Sequence, residues 1–124
     1  MKPHRRQQLL AAYRLARYEV AAEACFDVHG VHTAGYVTAF NPQSARHSDA
    51  ANRQAHESLL DRLGQGGWPL LGGRARDPAG EWPPEDSVLV LGISQRQTLE
   101  LGRAFDQMAV LWSNADAIPR LLAC

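Results

Sequence analysis

Polar side chains cluster where the stretch YVTAFNPQS, Tyr36 to Ser44, changes from a strand-like sequence into Asn41-Pro42. Thr38, Asn41 and Ser44 offer hydroxyl and amide groups there, and loops at the ends of rigid strands commonly hold binding or catalytic groups. Asn and Ser also stabilise turns, because their side chains hydrogen-bond nearby backbone groups. The sequence leaves two interpretations open, a structural corner or one wall of a polar site.

A second polar segment, EWPPEDSVLV, precedes an apolar run. Glu85 and Ser87 are two residues apart, so they point the same way within a strand and could bind a polar ligand or act in general-base catalysis. Trp82 could stack on a planar ligand or pack along its own loop. His56 follows Asn52 by about one helical turn and is either an acid-base group or an exposed helix histidine.

Sequence signatures for metal, nucleotide or nucleophile chemistry are lacking. GQGGWPLLGG has neither Walker nor dinucleotide spacing and precedes a strand, and no GxSxG is present. His29 and His32 do not have zinc-motif spacing. Cys25 and Cys124 are the only cysteines, one in a predicted strand and one at the last residue, so they suggest no disulfide framework and are expected to be free thiols. We therefore expect no metal and no cofactor.

The length of 124 residues, with 45% hydrophobic and 21% charged residues, predicts one domain spanning residues 1–124. We expect residues 1–15 to form a basic helix or arm and residues 113–124 a C-terminal tail. No apolar run approaches the roughly 18 residues of a membrane span, and no signal-peptide pattern opens the chain, so we expect a cytoplasmic protein with no membrane partner.

Thirteen basic residues balance thirteen acidic ones, which argues against a general electrostatic affinity for nucleic acid. The basic residues are unevenly distributed, however, because Arg5, Arg6, Arg14 and Arg17 all precede the first acidic residue, Glu19. RNA binding through this N-terminal segment is therefore kept as an alternative, with a solvated helix face as the simpler interpretation.

Hydrophobic periodicity predicts alternating strands and helices along the chain. A helix is expected over residues 5–15, with strands near Arg17 to Val20 and over residues 24–29. After a turn at Gly30 the predicted elements are strand Gly35 to Phe40, helix Ser48 to Leu63, strand Pro69 to Arg76, strand Ser87 to Ile93, helix Gln95 to Phe105 and strand Met108 to Trp112.

Two of these helices carry terminal signals. Ser48 is a plausible N-cap of the first, with Gly64 expected at its C′ position. Ser94 and Gln97 have capping-box spacing at the start of the second, whose Leu101, Ala104 and Phe105 are expected to face inward.

From Gly35 onward the order of elements predicts an α+β fold, an antiparallel sheet with two helices on one face. The order matches a ferredoxin-like split βαβ core, preceded here by an extra N-terminal hairpin. If the strands leading to Asn41 and from Glu85 are antiparallel neighbours, the end of one lies beside the start of the other. We then expect Asn41 to approach Glu85.

Several segments in their order resemble the bacterial domain-of-unknown-function family 3293. They are AYRLARYEV, YVTAFNPQS followed by Asn52, EWPPEDSVLVLGIS and AFDQMAVLW, and they cover most of the chain, from Tyr13 to Trp112. The family carries a T-A-[FW]-N-P corner and an F-x-Q-x-A segment. This chain departs from it with Pro83 and Pro84 before Glu85, and with Asp106 where a glycine is usual. The resemblance implies a small bacterial protein and no established activity.

The main hypothesis is a non-enzymatic binding or regulatory domain that recognises a small polar ligand or a protein partner. Its ligand-binding candidates lie near predicted element ends: Thr38, Asn41, Ser44, Asn52, Glu85, Ser87 and Gln107. A cleft lined by Asn41, Asn52, Glu85 and Gln107 is expected. The alternatives are a small hydrolase or transferase using Glu85 or His56 near Ser44 or Ser87, and a homodimer formed through a sheet edge.

Overall fold

An antiparallel sheet and two α-helices make up the part of the chain that the computed structural model describes, residues 30–75, 83–116 and 118–124. The strands are β1 (Ala34–Val37), β2 (Leu70–Ala75), β3 (Glu85–Leu91), β4 (Ala109–Ser113) and β5 (Arg120–Ala123). The helices are α1 (Asp49–Gly66) and α2 (Gln95–Ala104), and a short 3-10 turn spans Pro42–Ser44. The predicted α+β class is confirmed. The expected helix over residues 5–15 and the N-terminal hairpin lie outside the described residues.

The sheet has the strand order β2-β3-β1-β4-β5, with each neighbouring pair antiparallel. β1 therefore lies in the middle, between β3 and β4, although neither neighbour follows it directly in the chain. Val37 at the end of β1 is opposite Val88 near the start of β3. This register brings the chain leaving β1 next to the residues that open β3.

Both helices pack on one face of this sheet. Leu59 and Leu63 of α1 and Leu101 of α2 share one core cluster with Val88 and Val90 of β3. The two valines point to the same face because they are two residues apart in a strand. Burial of these side chains, each worth roughly 1.5–3 kcal/mol, is what holds the helices on the sheet.

The apolar run in β3 is buried on both sides of the sheet. Val88 and Val90 on the helix face are 1% and 0% exposed, and Leu89 and Leu91 on the other face are 2% and 0% exposed. β3 also lies inside the sheet, between β2 and β1. The absence of polar alternation in this strand correctly predicted an interior position.

Helix α1 begins as expected and ends later than expected. The Ser48 hydroxyl accepts a hydrogen bond from the backbone N–H of Ala51. Gly64 does not end the helix, as the sequence had suggested, because the chain stays helical through Gly66 and enters the left-handed region only at Gly67, with φ 74°. The helix therefore runs three residues beyond the predicted last residue, Leu63.

Helix α2 opens with the predicted capping box. The Ser94 hydroxyl accepts from the Gln97 N–H at 3.1 Å, and the Gln97 side chain accepts from the Ser94 N–H at 3.1 Å. The helix ends at Ala104, one residue before the expected Phe105. Leu101 is buried, but Ala104 is exposed, so the expectation that Ala104 faces inward was wrong.

The C-terminal residues expected as a tail include strand β5, which pairs with β4. Leu122 packs partly buried against the core, whereas Leu121 is 52% exposed. Neither helix in the described part of the chain combines the length and apolarity that crossing a membrane would require.

Candidate functional site

Two polar strand ends that are distant in sequence meet at one rim of the sheet. The Asn41 side-chain amide donates a hydrogen bond of 2.7 Å to a carboxylate oxygen of Glu85. Both side chains are buried, at 5% and 3% exposed. The contact arises because β1 and β3 are antiparallel neighbours, so the expected approach of Asn41 to Glu85 is confirmed.

Asn41 is also joined to the first turn of α1 by a reciprocal pair of hydrogen bonds. Its backbone N–H donates to Asn52 Oδ1 at 2.8 Å, and Asn52 Nδ2 donates back to Asn41 Oδ1 at 3.0 Å. The same Asn41 oxygen accepts from the His47 backbone N–H at 2.9 Å. Buried polar groups need such partners, so these bonds fix the corner to both a strand and a helix.

Thr38 and Gln107 hold the backbone on either side of this corner. The Thr38 hydroxyl donates to the Asp86 carbonyl at 2.6 Å and accepts from the Phe40 N–H at 3.1 Å. Gln107 Nε2 donates to the carbonyls of Phe40 and Phe105, both at 3.2 Å. The corner is therefore tied to three separate parts of the chain.

Left-handed backbone conformations are concentrated here. Asn41, Gln43 and Asp106 have φ values of 48°, 56° and 53°. The backbone N–H and the side-chain amide of Gln43 both donate to the Asp106 carbonyl, at 2.8 and 2.9 Å. A positive φ is adopted without steric cost only by glycine, so Asp106 is in a conformation that L side chains rarely adopt. Such strained residues persist only where their surroundings hold them in place.

Two arginines converge on Asp86, the residue after Glu85. Arg53 Nη1 and Arg74 Nε lie 2.7 and 3.0 Å from its two carboxylate oxygens. Burial alone raises the pKa of Asp86, but the hydrogen bonds and positive charges of Arg53 and Arg74 outweigh it, and the pKa lies below its ordinary value of 3.8. The Arg53 guanidinium also lies 5.6 Å from the centre of the Phe40 ring, as a cation–π contact.

A small cleft opens beside the corner, with a volume of about 20 Å³. We call it the corner notch and define it by six lining residues: Phe40, Asn41, Arg46, His47, Asp49 and Asn52. Pro83 and Pro84 add an apolar wall. A volume of this size holds about one water-sized group.

The structure brings together only some of the candidate residues. Asn41 and Asn52 line the corner notch. Glu85 and Gln107 were expected to line the same cleft, but they support it by bonding Asn41 and the Phe40 carbonyl. The Ser87 hydroxyl donates to Tyr36 Oη at 2.6 Å within the sheet.

Ser44 lies in the 3-10 turn. The His56 ring packs edge-on to Phe40 with 6.0 Å between centroids. Its Nδ1 is buried, with no hydrogen-bond partner in the described structure.

Arg46, His47, Asp49 and Arg53 were not among the candidates. They follow the corner directly in the segment ARHSDAANR, and their clustering with two amides was the available signal. In the described ranges, no group of three or more His, Cys, Asp and Glu side chains could hold a metal ion.

The fold and this bonded corner define a small α+β domain with a polar notch at the rim of its sheet. The chain belongs to the family described as "Protein of unknown function (DUF3293)", whose model matches residues 37–110. The matched segment begins in β1 and ends in β4, so it includes the whole corner. Comparison with curated proteins and with solved structures finds no significant match.

Proposed function

We propose that this protein is a non-enzymatic binding or regulatory domain, which recognises one hydrogen-bond-accepting group of a small polar ligand or a protein partner at the corner notch. The observation that carries the proposal is the set of donors beside the notch. Asn41 Nδ2 and Asn52 Nδ2 each have two N–H groups, and each donates one hydrogen bond within the network. Within the described residues neither amide makes a second donor bond, so we assign the other hydrogen of each to a guest.

Arg46 and His47 add further donors to the same lining, and both are exposed. Arginine forms paired hydrogen bonds with planar carboxylates, and these are stronger than bonds between neutral groups. Asp49, on the same lining, disfavours a guest group that would place negative charge beside it. A single carboxylate approaching from the side of Arg46 suits this arrangement.

The volume of the notch supports recognition of one group over enclosure of a whole substrate. Ligand pockets that bury a drug-sized molecule measure roughly 300–1,000 Å³. The corner notch, at about 20 Å³, is far smaller. A guest would therefore insert one functional group and leave the rest of its surface outside.

The alternative of a small hydrolase or transferase has less support from the hydrogen bonds. Catalysis would need a nucleophile or base paired with an orienting group around an open cavity. One oxygen of Glu85 accepts from Asn41, and the Ser87 hydroxyl donates to Tyr36. Both candidates already serve the packing of the sheet.

A ferredoxin-like arrangement of the sheet is a finer part of the proposal. The order β1-α1-β2-β3-α2-β4, with spatial order β2-β3-β1-β4, is the split βαβ pattern and supports it. The resemblance implies a bacterial origin, and a cytoplasmic location belongs to the same proposal.

Thermal unfolding in the presence of small carboxylates tests the proposed function. Acetate and succinate should raise the Tm of the protein relative to sodium chloride of equal ionic strength. At ten times Kd, binding adds about 1.4 kcal/mol to the free energy of unfolding. Arg46→Gln should abolish the rise, because it removes the charged donor. Arg62→Gln, an exposed arginine of α1 outside the notch lining, is the matched control and should retain it. An equal rise in both variants, or no rise in the unaltered protein, would refute the proposal.

A further inference from the structure

We propose that the corner notch and the neighbouring arginine pair, Arg53 and Arg74, form one docking surface for an acidic peptide segment of a partner protein. This inference rests on the proposed function, because the notch would take one carboxylate of the peptide and the arginines the next.

The arginine pair has donors to spare. Arg53 uses Nη1 and Arg74 uses Nε on Asp86, while each guanidinium carries five N–H groups. The side chains are 50% and 59% exposed, whereas the Asp86 carboxylate between them is 17% exposed. The carboxylate therefore occupies one nitrogen of each guanidinium, and it competes with any incoming acidic group for these two arginines.

Phe40 connects the two halves of the surface. Phe40 lines the corner notch, and the Arg53 guanidinium lies over the Phe40 ring, 5.6 Å from the ring centre. Side chains at positions i and i+2 of an extended peptide point the same way and are about 7 Å apart. We expect a peptide with acidic residues at alternate positions to place one carboxylate in the notch and the next on Arg53 and Arg74.

The charge of the surface favours an acidic peptide over a nucleic acid. Among the exposed side chains, Arg46, Arg53 and Arg74 outnumber the single carboxylate of Asp49. The carboxylates of Asp86 and Glu85 are largely covered, at 17% and 3% exposed. A nucleic-acid surface needs a larger basic excess, because it must neutralise a run of phosphates. The chain as a whole has a formal net charge of zero.

Fluorescence anisotropy with a labelled peptide of sequence Gly-Ser-Asp-Gly-Asp-Gly-Ser tests the inference. Arg74→Gln should weaken binding roughly two- to five-fold, as expected for loss of an exposed ion pair. Asp86→Asn should strengthen binding, because it removes the carboxylate that competes with the peptide for both arginines. Arg96→Gln is the control, since Arg96 is an exposed arginine in an i,i+4 ion pair with Glu100 on α2, and should have no effect.

The Asp86→Asn result separates docking from a structural effect. If the arginine–aspartate cluster only stabilises the fold, Asp86→Asn will weaken peptide binding or leave it unchanged, and the inference is overturned. Circular dichroism melts check folding of each variant, and Arg74→Lys, which keeps the charge, should bind more tightly than Arg74→Gln.

Two further results distinguish this inference from the proposed function and from RNA binding. If the small-carboxylate shift depends on Arg46 but peptide affinity is the same in Arg74→Gln, the proposed function stands and this inference fails. If a labelled oligouridylate binds more tightly than the peptide and loses affinity in Arg74→Gln, the surface binds RNA and the inference is wrong.

Discussion

Asn41 serves as both a turn residue and a connector. Its left-handed backbone, with φ 48°, is a conformation that asparagine tolerates better than most residues. Its amide bonds Glu85 on one side and Asn52 on the other. The sequence offered a structural corner or the wall of a site, and the structure shows the bracing directly, while the spare amide hydrogens support the second role.

At this scale the sequence predicted the pairing of Asn41 with Glu85, because both candidates lay at the ends of recognisable strands. It did not predict the Arg53–Asp86–Arg74 cluster. Those three residues come from a helix and two different strands, and only the folded sheet brings them within 3.0 Å. Charges on exposed elements carry no periodic signal that identifies their partners.

Asp86 should make stability depend on pH in the acid range. Its pKa in the folded protein is lower than its ordinary value of 3.8, so its ion pairs contribute fully above that value. The contribution is lost as the pH falls through the lowered pKa. Asp86→Asn should therefore cost stability at pH 7, and the difference from the unaltered protein should narrow below about pH 4. Urea unfolding of both proteins at pH 7, 5 and 3 measures the difference in their free energies of unfolding. A difference that is the same at all three pH values would contradict the ion pairs of Asp86 with Arg53 and Arg74.

Both helices and β1 to β4 were predictable from different local signals. Helix α1 has apolar residues at four-residue steps, β3 is a continuous apolar run, and β2 follows a glycine-rich break. β5 was missed as a strand, since Arg120–Ala123 is four residues long and has no alternation. Its structure depends on pairing with β4, a contact that local sequence does not encode. The end of α1 was misplaced because three glycines follow one another closely.

Those glycines give a matched pair of variants within α1. A Cβ on Gly66 would clash with the Trp68 ring, whereas a Cβ on Gly64 would meet nothing within 4 Å. Trp68 packs against the core, so the ring cannot move freely. Gly66→Ala should destabilise the protein by about 1–3 kcal/mol through overpacking.

Gly64→Ala is the control and should stabilise the protein by about 0.5–1 kcal/mol, because alanine is the better helix former. Thermal melts of both variants measure the two effects. If both changes stabilise the protein, the Trp68 ring does not pack closely against Gly66 and the predicted overpacking is refuted.

For the whole molecule, the order of strands is the property that creates the site. β1 and β3 are separated in sequence by α1 and β2, yet they are neighbours in the sheet. The order of elements along the chain predicted a split βαβ pattern. The strand order β2-β3-β1-β4-β5, with β5 at one edge, is known only from the structure. If β1 and β3 were not neighbours in the sheet, the two polar strand ends would not be in contact.

A double-mutant cycle measures whether these two strand ends form one bonded unit across the sheet. Asn41→Ala, Glu85→Ala and the double variant should be unfolded in urea. Because the Asn41 amide bonds a carboxylate at 2.7 Å, we expect a coupling energy of about 1.5–3 kcal/mol. If the two effects simply add, to within about 0.5 kcal/mol, Asn41 and Glu85 do not interact and the two strand ends are not one bonded unit.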